Sequence, residues 1–301
     1  MSVAVASQQP LVAEHRPRWR EVLGVLLRNP LAVAAIVFLL LLLAAAVFGD
    51  ALAPHDPTAA SVRDRLQPPS TAHPFGTDEL GRDIFSRVLV AASVSLQVGI
   101  IAVGIALTAG VTLGLLAGFY GGRSDDVIMR LMDMVFAFPA ILLAIAVLAI
   151  LGPGVRNAMI AIGIVFTPIF ARVTRSRVLS VREEVYVRAA RSIGASDLRL
   201  LATHVLPNVL APIIVQASIS LAFAILQEAA LSFLGLGTQP PDPSWGRMLS
   251  EGRGFIQLAW WMAVFPGLAI LLTVMSFNFL GDGLRDALDP RRAKALEGSR
   301  A

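Results

Sequence analysis

Cysteine is absent from the 301 residues, which excludes a disulfide framework and any thiolate metal site. Histidine is scarce. His15, His55, His73 and His204 are scattered along the chain and show no metal-ligand spacing. Charge is scarce too: Asp, Glu, Lys and Arg make up 15% of the residues, where a soluble globular protein carries about 25%. A soluble chain of this length would fold into one or two domains with a polar rind, and there is too little charge here to build one. No Gly-rich loop ends in Lys-Ser or Lys-Thr, so the usual phosphate cradle is missing. Acids and histidines do not cluster as a membrane enzyme would require. Nor do two halves mirror each other, as coupling acids or broken helices would in many secondary transporters. No internal repeat is legible.

What remains is apolar. Hydrophobic residues make up 56% of the chain, and the mean hydropathy is +0.71. Leu31–Phe48 is an unbroken apolar run long enough for the roughly 30 Å hydrocarbon core of a bilayer. It begins too far into the chain, and is too long, for a cleaved signal peptide. Five further spans are expected at Ser93–Phe119, Met134–Leu151, Ala158–Ala171, Val209–Phe233 and Leu258–Leu280. The fourth is short and contains Pro168, and an extension to about Thr174 is allowed for. The sequence therefore predicts an all-α polytopic membrane protein of about six transmembrane helices.

The net charge of +4 comes almost wholly from arginine. In a soluble chain it would point to nucleic acid; here it reads as orientation, because basic loops stay in the cytoplasm. With the N-terminus inside, the cytoplasmic parts are residues 1–30, about 120–130, about 172–206 and 281–301, and together they hold 18 of the 25 basic residues. The expected organisation is a cytoplasmic tail 1–30, whose Met1–Arg20 portion is polar, basic and disordered, and a first span 31–49. An external loop 50–90 and a transmembrane core 91–280 follow, and a solvated cytoplasmic tail 281–301 closes the chain.

The loop 172–206 holds Arg172, Arg175, Arg177, Arg182, Arg188, Arg191 and Arg199. A positive-inside anchor accounts for the arginines but not for the order within the loop: Arg188-Ala189-Ala190, three residues, Gly194, and later Leu206-Pro207-Asn208. Val185–Ser192 has helical character. Gly194 suits a helix stop in the left-handed region, Ser196 can cap a second helix whose first residue is Asp197, and Pro207 is expected to end it, with Leu206 extended. The expectation is a helical elbow with a smooth Ala189-Ala190 surface that can seat in a partner's groove.

This pattern resembles the loop signature of the permeases of binding-protein-dependent ABC importers, in which an acidic residue precedes Ala-Ala, then Gly, then an aliphatic residue and Leu-Pro. Ala189, Ala190, Gly194, Leu206 and Pro207 match; Arg188 replaces the acid and His204 the aliphatic residue. His73-Pro74-Phe75-Gly76-Thr77-Asp78-Glu79-Leu80-Gly81-Arg82-Asp83 is similar to a segment of the C-type subunit of dipeptide and oligopeptide permeases. So are Glu228–Gly237, Pro241–Gly246 and Gly281–Pro290, and the likeness covers about residues 20–292.

The resemblance implies an ABC-importer permease (MetI-like) fold with a cytoplasmic coupling-helix loop. The chain would be a non-catalytic half-pore in a bacterial inner membrane, with both termini in the cytoplasm, and would have no cofactor of its own. Its partners would be a homologous second permease, two ATP-binding subunits that hold ATP and Mg, an external substrate-binding protein and membrane lipid, with no nucleic acid. The cargo implied is a di- or oligopeptide, with nickel, glutathione or another small solute as the alternative. Arg188, Ala189, Ala190, Gly194, Leu206 and Pro207 would form the ATPase-coupling loop. The reversed charge at Arg188 would require an acidic or neutral group in the cognate ATPase groove.

Other residues carry expectations of their own. Glu228 lies in the fifth span, where a carboxylate is costly and is read as functional by default: it either lines the substrate path or serves a structural or gating role. Asp133, three residues after Arg130, suggests an ion pair along one helix. Gly110, Gly114 and Gly118 recur every four residues, as close helix packing requires. Trp260 and Trp261 read as interfacial anchors, and Trp245 as a contact for the external binding protein.

Overall fold

The fold is taken from a computed structural model that describes residues 19–288. The tails expected at 1–18 and 289–301, with His15 and the Asp289-Pro290 end of the last motif, lie outside the described residues.

The described residues form helices joined by loops and no strand; only one isolated bridge, between Thr77 and Asp83, occurs. In chain order the helices are α1 (Trp19–Leu26), α2 (Pro30–Leu52), α3 (Ile84–Tyr120), α4 (Gly122–Phe136), α5 (Ala140–Leu151), α6 (Val155–Val181), α7 (Val185–Ser192), α8 (Asp197–Arg199), α9 (Leu206–Phe233), α10 (Trp245–Gly252) and α11 (Trp261–Leu288). Five stretches are long and apolar enough to cross a membrane: α2, α3, α6, the stretch Asp197–Phe233 that includes α9, and α11. The bent pair α4 and α5 makes a sixth if it is counted as one span.

The spans begin where the sequence supplies acceptors for the free amides of their first turns. Asn29 caps α2: its side-chain oxygen accepts from the Leu31 and Ala32 amides at 3.0 and 3.4 Å, and Pro30 fills the first position, where no N–H is needed. Asp83 caps α3 by accepting from the Ser86 amide at 2.8 Å. The expected third span, Met134–Leu151, is not straight. α4 and α5 meet at 92° across residues 137–139, where Pro139 lacks a donor and disfavours helix at Phe138. At about 1.5 Å per residue, α5 alone reaches only about 18 Å.

α3 is the hub, and its closest partner is α6. The glycine ladder makes that seam possible. A Cβ on Gly110 would stand 2.6 Å from the Thr167 carbonyl oxygen, one on Gly114 2.5 Å from that of Ala171, and one on Gly118 2.8 Å from Val178 Cβ. Helix α6 also runs further than Ala171 or Thr174, to Val181, so the expected loop 172–206 is shorter and Arg172, Arg175 and Arg177 belong to a span. Pairing explains how: Arg175 meets Asp125 through two contacts of 2.5 and 2.6 Å, and Arg172 meets Asp133 at 2.6 Å. Asp133 therefore bridges α4 to α6 rather than pairing with Arg130.

The described parts of the expected tails, residues 19–30 and 281–288, are largely helical. α1 occupies part of the expected tail 1–30, and α11 continues through 281–288. Val22, Leu26 and Ala32 pack on Leu280, Leu284, Ala287 and Leu288, which gives both ends a shared apolar contact.

Candidate functional site

The two ends of the helical bundle carry different chemistry. At one end, α6 gives way to α7 after Arg182, whose guanidinium donates to the Gly118 carbonyl at 2.7 Å. α7 stops as expected: Gly194 adopts φ +87°, the Ala195 amide donates to Ala190 O at 3.1 Å and the Gly194 amide to Arg191 O at 3.0 Å. These paired bonds satisfy the last carbonyls of the helix in a Schellman turn. On the inner side Val187, Leu200 and Val205 are buried. Ala190 is half-buried against the same core, and the Arg191 guanidinium lies 5.1 Å over the Phe119 ring. On the outer side Arg188 and Ala189 are exposed, beside Val185, Leu198 and Ile193, which are 71%, 78% and 87% exposed.

Arg188, Ala189, Ala190 and Gly194 thus share one projecting elbow. Leu206 and Pro207 do not break the chain, as the sequence suggested. Leu200–Val205 forms a π-helical turn, and Leu206 is helical at φ −54°, ψ −47°. The π turn closes Leu206 N–H onto Leu201 O, a local widening of the helix through which the chain runs on into α9 past Pro207. Asn208 Nδ2 donates to the His204 carbonyl at 2.6 Å, supplying a donor near the one Pro207 lacks. Ser196 precedes α8 but makes no side-chain cap bond. The exposed Val185, Ile193 and Leu198 were not singled out in the sequence. The signal available was the apolar spacing of Val185, Ala189 and Ile193 on one helical face.

The opposite end is braced by buried charge. Asp78 accepts from the Leu80 and Arg82 amides, both at 2.9 Å, and from Arg82 Nε at 2.6 Å. Arg82 and Arg87 both donate to Glu251 Oε2, at 3.1 and 3.2 Å, and Arg247 donates to Glu251 Oε1 at 3.0 Å. Arg87 also donates to Pro57 O at 3.1 Å. This network ties the loop after α2, the start of α3 and helix α10 together. Glu79 lies at its edge, where burial pushes its carboxyl above the ordinary glutamate range.

Trp261 and Trp245 belong to this bracing, not to a membrane belt or a partner surface. Both are buried, and their indole N–H groups donate to Thr77 O and Val88 O, each at 3.0 Å. Burial of an indole requires such an acceptor. Trp260, 49% exposed, remains available as an interfacial residue. Glu228 is fully buried beneath the α9–α10 connection. Its Oε1 accepts from Ser232 Oγ at 2.6 Å and from Thr238 Oγ1 at 3.4 Å, with Ser244 beside it. It faces the interior of the chain, not its open surface. An open groove runs along α3, lined by Ile101, Gly104, Ile105, Thr108 and Thr112.

Comparison with known proteins places this geometry. The family model described as "Binding-protein-dependent transport system inner membrane component" matches residues 110–294, and the "N-terminal TM domain of oligopeptide transport permease C" matches 17–69. The chain is 51% identical to a dipeptide transport system permease protein of Alkalihalophilus pseudofirmus, over 91% of this chain and 90% of that one. It is 48% identical to a glutathione transport system permease protein of Pectobacterium atrosepticum, over 96% and 97%. A probable D,D-dipeptide transport system permease of Escherichia coli is also 48% identical, over 87% and 88%. Among solved structures, an inward-facing MetNI methionine ABC transporter aligns with TM-score 0.57 at 16% identity, over 68% of this chain and 98% of that one. An amino acid ABC transporter aligns with TM-score 0.53 at 13% identity, over 68% and 95%. At those identities the two structures establish the fold.

Proposed function

The chain belongs to the family of binding-protein-dependent transport system inner-membrane components, and from that premise we propose that it is one half of the pore of an ATP-driven importer of di- or oligopeptides. The observation that carries the reading is the elbow. A short helix ends in a left-handed glycine and presents Val185, Ala189, Ile193 and Leu198 to the outside. Exposed apolar side chains grouped on a rigid projection are the mark of a docking surface, and a helix seated in a groove is the economical way to cover them.

In this reading the elbow faces the cytoplasm, where two ATP-binding subunits hold ATP and Mg, and both termini lie on the same side. The basic residues support that orientation, since Arg182, Arg188, Arg191 and Arg199 gather at the elbow. The braced end with Trp245 and Trp261 faces outward, towards a binding protein that delivers cargo. The open groove along α3 faces the homologous second permease and forms half of the path. ATP-driven closure of the ATPases brings the two elbows together and switches the spans between discrete packings. It can do so only through contacts that differ between the two states.

Peptide cargo follows the dipeptide-permease relatives. Glutathione is the second reading, favoured by the glutathione permease relative, which is 48% identical against 51% for the dipeptide permease but covers more of both chains. The complete transporter, reconstituted in vesicles with its binding protein, distinguishes them. ATP-dependent accumulation of labelled dipeptides that glutathione does not compete supports the first reading. Accumulation of glutathione alone replaces it with the second. Accumulation without ATP or partner subunits overturns both.

A further inference from the structure

His55 and the two ends of the His73–Asp83 motif converge at the start of α3. His55 Nδ1 lies 3.7 Å from Asp83 Oδ2, and His73 Nδ1 lies 3.0 Å from Asp83 Oδ1. The two imidazoles are 4.7 Å apart, centroid to centroid. One ligand atom from each of the three side chains falls within 4.8 Å of the other two. We propose that His55, His73 and Asp83 form a binding site for a divalent transition-metal ion such as Zn²⁺ or Ni²⁺.

The donor set suits that class. Imidazole nitrogen selects zinc, nickel and copper over the hard ions, and two histidines with one carboxylate leave further coordination positions open. Bonds of about 2.0–2.2 Å to such an ion place neighbouring ligand atoms about 3 Å apart. The His73–Asp83 spacing already meets this; His55, 3.7 Å from Asp83 and in a set of ligand atoms that spans up to 4.8 Å, closes in by about 1–2 Å on binding.

The site is also held in place. The His55 amide donates to Ser86 Oγ at 3.2 Å, and Ser86 Oγ donates to Asp83 Oδ2 at 2.6 Å. Arg87 holds Pro57, two residues on. His73 is fixed in a turn by its amide bond to Ser70 Oγ at 3.1 Å and by its carbonyl, which accepts from Gly76 N at 2.9 Å. Asp83, with a side chain 1% exposed, is oriented by Ser86. Outer contacts of this kind orient metal ligands. His55, 42% exposed, keeps the open side towards solvent.

Electrostatics permit a cation despite the helix N-terminus beneath it. Asp78, Glu79, Asp83 and Glu251 outnumber Arg82, Arg87 and Arg247 by one negative charge. The bland alternative is a histidine–aspartate hydrogen-bonded clasp that takes no ion.

The test uses the full-length chain in detergent, purified without a polyhistidine tag and stripped with a chelator. Zn²⁺ and Ni²⁺ are titrated separately by calorimetry, with bound metal counted by mass spectrometry. The expected result is one saturable ion per chain. Its affinity should fall at least about tenfold in His55→Ala and again in His73→Asn, while His204→Ala and excess Mg²⁺ leave it unchanged. Cu²⁺ should give an electron spin resonance signal split by two imidazole nitrogens. His73→Asn can keep a hydrogen bond to Asp83, so a folded variant is available even if His73→Ala does not fold. Absence of saturable binding, or equal affinity in the His55→Ala/His73→Asn double variant, would overturn the site.

Discussion

The two ends of the bundle treat arginine in opposite ways. At the braced end, Arg82 and Arg87 have side chains 7% and 1% exposed and share Glu251. At the elbow, Arg188 and Arg199 stand in solvent beside exposed Val185, Ile193 and Leu198. One end pairs its arginines within the chain; the other leaves charge and apolar surface for another molecule. Charge count says which end is the more basic; burial and pairing are what separate a scaffold from a docking surface.

That contrast can be broken most severely at Glu251. Glu251→Ala removes the shared acceptor of Arg82, Arg87 and Arg247, leaving two buried guanidinium groups with Asp78 as their main remaining carboxylate. Loss of one partner of a buried pair costs about 3–5 kcal/mol, so the thermal unfolding midpoint in detergent should drop sharply or the chain should fail to accumulate. A midpoint equal to the parent's would show that the network is not bracing this end.

The elbow should respond the other way. Ile193→Asp changes a side chain that is 87% exposed, so stability should stay within about 0.5 kcal/mol of the parent. Co-purification of the ATP-binding subunits should nevertheless be lost. Retained co-purification would remove Ile193 from the docking surface. Arg188→Glu should weaken the same recovery by a smaller factor, read as slower association of the ATPases and a changed salt dependence. Unaltered assembly and transport would make Arg188 a surface charge only.

The smallest effect is expected at Glu79. Its carboxyl titrates above the ordinary range because of burial, so the folded state holds that proton more tightly than the unfolded one. The raised value means a penalty at neutral pH that fades as pH falls through the folded-state value. Glu79→Gln should therefore raise the unfolding midpoint slightly at pH 7–8, and the gain should shrink on acidification. A gain that grows with acid would contradict the burial account.

Much of the fold was legible because spans announce themselves by apolar length. The glycine ladder of α3 and the stop at Gly194 were legible for a similar reason: few residues other than glycine meet those steric demands. The span boundaries were not. Arg87, Arg172 and Arg175 look like loop residues until their partners Glu251, Asp133 and Asp125 are known, and those lie 164, 39 and 50 residues away in the chain. Trp245 and Trp261 misled for the same reason, since their acceptors Val88 and Thr77 are 157 and 184 residues distant. Pro207 reads as a helix end because local rules forbid proline in a helix interior. The π turn before it is set by packing of Leu200 and Val205, which single-residue preferences do not encode. The convergence of His55 and His73 on Asp83 is likewise a product of loop folding.

The π turn has a mechanical corollary. Because Leu200–Val205 joins α8 to α9 without a break, Asp197–Phe233 behaves as one shaft of 37 residues, about 55 Å long. A shaft of that length, pivoting near one end, turns a 10° tilt into a sweep of about 10 Å at the other. The six-residue π segment is its weakest section, with looser hydrogen bonding than the α-helix around it. Leverage and compliance thus sit in the same piece of chain, immediately beside the surface on which a motor protein would push.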